Sequence, residues 1–182
     1  GFSRLYLADW RNGRFNYDKN AKVGMIQLVT PKGGSPAKYE DVTKASDEKL
    51  VELLASPSGV QRLEAQQEML GRGQKPLFAE KVFALASDTS KTIAARVCAI
   101  FTFKQLYGKD STRYLAELVE DPTVREFALR AMTDRRTQLE GVPVKIYADA
   151  LTDSNPRVIL QALIGLQKLG AKDSAPAILA AS

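Results

Sequence analysis

The chain has 182 residues, 45% of them apolar and 26% charged, with a formal net charge of +5; this is the composition of a folded protein, and no run approaches the ~18 consecutive apolar residues of a membrane span. With no histidine and one cysteine, zinc sites of Cys/His type, Ser-His or Cys-His nucleophile pairs, an internal disulfide and a CxxCH haem attachment are excluded from these residues. The positive charge is uneven: residues 1–46 hold 8 Lys and Arg against 4 Asp and Glu, which leaves 18 against 17 for residues 47–182, a near-neutral balance that argues against a nucleic-acid-binding surface.

In chain order, the first elements are strands. Residues 4–9 (RLYLAD) and 23–30 (VGMIQLVT) are short runs rich in β-formers and bounded by Asp, Asn, Gly and Pro, which predicts a hairpin with a long loop containing the turn Asn12-Gly13. A two-stranded hairpin alone is marginally stable, so residues 1–34 are expected to be the remnant of a larger sheet domain or to pack on the first helices. Asp9, Trp10 and Arg11 at the end of the first strand form the most site-like cluster. Asp9 could hold a cation or pair with Arg11, although ending the strand on the loop backbone and packing Trp10 on the adjoining helices accounts for them more simply. The first residues show none of the basic start, apolar run and small-residue cleavage site of a secretion signal, and the chain reads as a piece of a longer protein.

Residues 31–46 hold two Pro and two Gly without apolar periodicity, and 35–46 is assigned as a linker. From 47 onward helical periodicity dominates. Paired helices are predicted over 47–56 and 58–71, 76–87 and 90–107, 111–120 and 122–136, and 142–152 and 155–169, with a fifth pair beginning at 174–181. Ser46-Asp47 caps the first helix, Gly71, Gly108 and Gly170 fall where C-caps are needed, and Pro76, Pro143 and Pro176 fall near helix starts. Ile93, Ala94, Val97, Ala99, Ile100 and Phe103, with Phe127, Ala128, Ala131 and Met132 and with Val158, Ala162, Leu163, Leu166 and Leu169, are the expected packing positions of the second helices. Cys98, in RVCAIF, is read as a core thiol.

A unit repeats across this region. A polar break containing Ser or Asp precedes an arginine that opens an apolar helix, at Arg62, Arg96, Arg125 and Arg157, spaced by 34, 29 and 32 residues (62 to 96, 96 to 125, 125 to 157). A period near 30–34 that alternates helix, turn and helix predicts an α-solenoid in which each unit buries its apolar face against its neighbours. The acidic pairs Glu64/Glu68 and Glu117/Asp121 lie one turn apart beside arginines and read as solvated faces rather than acid–base pairs. Gly71-Arg72-Gly73-Gln74 lacks the Lys-Ser/Thr of a phosphate loop and reads as a helix end.

The units DSNPRVILQALIGLQKLG (153–170) and DPTVREFALRAM (121–132) resemble HEAT repeats, in which a turn aspartate and the following arginine commonly form a ladder between repeats. The resemblance implies structural roles for Arg96, Asp121, Arg125, Asp153 and Arg157. The first pair departs from the pattern, with Ser56 and Gln61-Arg62, as an end repeat does. LYLADWRNGRFNY (5–17) followed by VGMIQLVTPKG (23–33) looks like the last strands of a sugar-dehydrogenase-type β-propeller. Bacterial proteins of the membrane-bound dehydrogenase type are similar in joining such a propeller to HEAT repeats and a c-type cytochrome domain.

The resulting expectation is a mainly α, HEAT-like superhelix of about four helix pairs over 47–182, preceded by the hairpin. It has no catalytic, cofactor-binding or metal-binding residues of its own. Its role is a scaffold that contacts a protein partner or neighbouring domains through the concave face of the second helices, where Tyr107, Arg130 and Lys168 are expected to be exposed. The alternatives are a spacer in a propeller–cytochrome oxidoreductase, periplasmic or extracytoplasmic and with haem c elsewhere in the parent chain, and a nucleic-acid-binding solenoid.

Overall fold

The computed structural model describes residues 5–10, 24–30, 32–33 and 40–180. Strand β1 (Leu5–Trp10) pairs antiparallel with β2 (Gly24–Val29), Leu5 opposite Val29 and Trp10 opposite Gly24. Alternation puts Leu5, Leu7, Met25 and Val29 on one face of the ribbon and Tyr6, Ile26 and Leu28 on the other. All seven are exposed, so among the described residues the hairpin buries neither face on the helices. The turn Asn12-Gly13 lies outside the described residues.

The helical part begins with a 3₁₀ turn, Val42–Lys44, and runs through α1 (Asp47–Leu54), α2 (Gly59–Arg72), α3 (Pro76–Ser87), α4 (Ile93–Tyr107), α5 (Thr112–Glu117), α6 (Arg125–Met132), α7 (Val144–Asp149), α8 (Pro156–Leu169) and α9 (Ala175–Ala180). Side chains decide the starts. Ser46, Ser58 and Thr92 accept from the backbone three residues on, and Asn155 accepts from Arg157 N with Pro156 in the first turn.

Three expected boundaries move. Helix α4 starts at Ile93 because Asp88 Oδ1 holds Ser90 N in a turn and Thr92 is the cap. The helix predicted over 122–136 shrinks to α6, because Asp121 Oδ1 accepts from Thr123 N before it and Arg136–Gln138 forms a separate 3₁₀ turn after it. Gly71 is inside α2, and Gly73, at φ +79°, is the C-cap. Gly108 and Gly170 take positive φ at helix ends as expected.

Consecutive helices pack as α1 on α2, α3 on α4, α5 on α6 and α7 on α8. The second members also meet in order, α2 on α4, α4 on α6 and α6 on α8, while α1 lies on α3. One core runs through these contacts, with Leu50, Met69, Phe78, Phe103, Leu129 and Tyr147 among its largest fully buried side chains.

Lys104 is also inside it, 1% exposed. Its Nζ donates to Gly108 O at 3.1 Å, and Ser111 Oγ donates to the same carbonyl. Burial pushes the Lys104 pKa down; the opposing attraction of Asp134 and the repulsion of Arg135 are smaller. Since the folded pKa is below the unfolded value of about 10.4, the charged form costs the fold at neutral pH. Stability attached to this group rises as pH climbs from the folded to the unfolded value. Lys104→Met is therefore expected to keep or exceed wild-type stability at neutral pH and to flatten that alkaline rise, which denaturant midpoints measured across alkaline pH will check. A clear loss of midpoint at neutral pH would show that the ammonium hydrogen bond dominates.

Candidate interaction face

The repeated arginines hold the turns. Arg62 Nη1 donates to Ser56 O at 2.6 Å, Arg96 Nε to Ala86 O at 2.9 Å and Arg125 Nε to Val119 O at 2.6 Å. Each cation thus caps the carbonyl end of the first helix of its own pair. Two then reach the next unit: Arg96 Nη2 donates to Asp121 Oδ2 at 2.6 Å and Nη1 to Thr123 Oγ1 at 2.7 Å, and Arg125 Nη1 donates to Asp153 Oδ2. The other oxygen of each aspartate closes its own turn, accepting from Thr123 N and Asn155 N.

Burial pushes the Asp121 pKa up, but Thr123 and Arg96 together outweigh it and the net shift is down. For Asp153 the Asn155 backbone bond, assisted by Arg125, likewise holds the carboxyl below its usual range. Arg157 differs. It turns back to Glu126 at 2.8 Å, with a side chain 69% exposed. Asp88 forms the same local turn with Ser90 but no ion pair among the described residues.

A second link, not anticipated from the sequence, joins the ends of the first pair. Arg72 bonds Asp47 and Glu68, and Lys75 bonds Asp47. Glu68 is thereby an ion-pair partner rather than half of a Glu64/Glu68 couple.

Three contacts align the second helices side by side: Gln66 Nε2 donates to Thr102 Oγ1, the Arg130 guanidinium lies 5.8 Å from the Phe101 ring centre, and Lys168 Nζ donates to Thr133 O. In that register the solvent-facing positions form rows. Val60, Leu63, Ile93 and Leu160 are 49%, 52%, 53% and 52% exposed, and Ile164 is exposed beside them. Half-buried Phe101 and exposed Arg130 stand between these flanks.

Ile93 and Ala94, expected to fill gaps between helices, lie instead on this outer face. Of the three residues expected to be exposed, Arg130 is; Tyr107 and Lys168 are half-buried, each tied to a neighbouring backbone carbonyl, Tyr107 Oη to Lys75 O and Lys168 Nζ to Thr133 O. Asp9 and Trp10 sit in β1 opposite Met25 and Gly24. Their side chains and Arg11 lie outside the described residues.

Cys98 is half-buried, its Sγ 3.9 Å from Arg62 O, and burial pushes its thiol up. A groove of about 630 Å³ lies along α3 and α5, over the clustered rings of Phe83, Phe103, Tyr107 and Tyr114. Among the described residues no group of three or more Cys, Asp or Glu side chains is placed to hold a metal ion, and no helix is long and apolar enough to cross a membrane. In comparisons with known proteins, no family model, curated protein or solved structure matches the chain.

Proposed function

We propose that residues 47–182 are a HEAT-like solenoid acting as a non-catalytic scaffold, whose second-helix face engages a protein partner or a neighbouring domain. The row of exposed Val60, Leu63, Ile93, Leu160 and Ile164 around the Phe101–Arg130 pair carries this reading. Exposed apolar side chains on α2, α4 and α8, with Arg130 of α6 between the last two, mark an interaction surface, and arginine and aromatic residues are enriched at the centres of such surfaces. The arginine links from one unit's turn to the next support the repeat architecture.

The test is capture of partners from an extract of the source cells, identified by mass spectrometry, on the wild-type chain and on Leu63→Asp/Leu160→Asp. Both positions are half-exposed, so the variant is expected to melt with the wild type while losing the same identified partner at least about tenfold. Equal recovery on the two would refute the face.

The hairpin supports a second reading, in which the helices space a propeller from a c-type cytochrome in an extracytoplasmic oxidoreductase. Its seven exposed apolar side chains on two paired strands call for further strands. Intact mass and a Soret scan of the native protein check it. A chain of these residues alone, without haem, would sink it.

A further inference from the structure

We infer that the partner of the second-helix face presents acidic side chains from an amphipathic helix, an inference that rests on the interaction reading above. Arg72, Arg96, Arg125 and Arg157 each have a carboxylate, Arg62 has the Ser56 carbonyl, and Arg113, without a carboxylate, lies over the Tyr114 ring and donates to its hydroxyl. Arg130, Arg135 and Arg136 have no carboxylate among the described residues, and all three are exposed. Glu126 holds Arg157, Asp153 holds Arg125 and Glu140 holds Lys109, which leaves Asp134 as the acid in this stretch without an ion pair among the described residues.

With Lys168, whose Nζ bonds the backbone at Thr133, this end of α6 and α8 carries four cations against Asp134, a local charge of +3. The whole of residues 47–182 sums to only +1, so the remainder is −2 and the excess is concentrated here. Arg130 connects these cations to the second-helix face, where its guanidinium lies over the Phe101 ring.

An amphipathic helix satisfies both halves, its apolar ridge on Phe101, Leu160 and Ile164 and its acidic flank on Arg130, Arg135 and Arg136. Nucleic acid fits less well. Phosphates would leave the exposed leucines and isoleucines uncovered, and such interfaces are markedly polar.

The test uses two fluorescein-labelled helical peptides of about 20 residues, with the same leucine ridge flanked by Glu in one and Lys in the other, titrated by anisotropy with the 182-residue chain at about 0.15 M salt. The Glu peptide is expected to bind roughly tenfold more tightly or better. Arg130→Glu/Arg135→Glu/Arg136→Glu should abolish or reverse the preference, and the charge-matched Lys44→Glu/Lys49→Glu/Lys81→Glu should retain it.

Equal binding of the two peptides, or equal effects of the two triple variants, would overturn the inference. If such equal binding is still lost in Leu63→Asp/Leu160→Asp, the face stands and only its charge preference falls. If neither peptide binds, both readings fall. A DNA duplex that binds more tightly than the Glu peptide and is lost in the arginine variant assigns the patch to nucleic acid and overturns the proposal.

Discussion

Gly165→Ala is expected to destabilise the chain by roughly 3 kcal/mol, at the upper end of what overpacking costs. Tyr147 on α7 is fully buried, and a Cβ at position 165 on α8 would fall onto its ring edge at Cδ1 and Cε1. The ring cannot withdraw freely, because Tyr147 Oη donates to Leu129 O at 2.7 Å. Burial also pushes the phenol well above its ordinary value, so it remains a donor. Urea unfolding measures the loss. A second comparison separates the clash from helix propensity: in a Tyr147→Ala background the methyl has space, and Gly165→Ala should become nearly neutral or favourable, since alanine suits a helix interior better than glycine by about 1 kcal/mol. Equal costs in both backgrounds would show that the ring and Gly165 are not in contact.

Arg96→Ala is expected to cost about 3 kcal/mol, the range for removing one partner of a buried ion pair. The guanidinium side chain is 3% exposed and holds three acceptors: Ala86 O, Thr123 Oγ1 and Asp121 Oδ2. Its loss leaves the end of α3 and the turn before α6 short of donors at once. Arg157→Ala removes an exposed cation but leaves Glu126, whose side chain is 12% exposed, without its partner, so it should cost clearly less than Arg96→Ala. Similar losses from the two would mean that burial does not govern the ladder.

The pH dependence gives a second readout. Asp121 and Asp153 have folded pKa values lowered below the ordinary one, so their contribution is complete above the unfolded carboxyl value of about 3.9 and is lost as pH falls through the folded values. In Arg96→Ala that acid-side loss should be smaller, because part of what depresses Asp121 is gone.

Much of the architecture was legible because its causes are local. The hydroxyl cap Ser46, Pro76 in a first turn, and Gly108 and Gly170 at positive φ act within one turn of helix, where sequence neighbours are also spatial neighbours. The errors have the same origin. Gly71 and Gly73 offer two stops two residues apart, and only packing makes Arg72 reach Asp47 and carry the helix to the second glycine. Ile93 and Ala94 fit the apolar period of α4, but the period does not say which flank a neighbouring helix will cover. An isolated glycine inside α8 was a signal of close approach, yet only contact with α7 identifies Tyr147 as the reason.

By itself, the sequence determined that this chain is mainly helical with an antiparallel strand pair, roughly where each element starts and stops, and which arginines and aspartates recur. The tertiary structure decided which of those charges are spent. Arg96 and Arg125 find carboxylates 25 and 28 residues away, whereas Arg130, Arg135 and Arg136 find none among the described residues. The physical reason is that periodicity and capping are set by residues within a turn of one another. The pairing of a cation, the burial of Lys104 and the apolar row left in water depend instead on which helix faces meet across the fold.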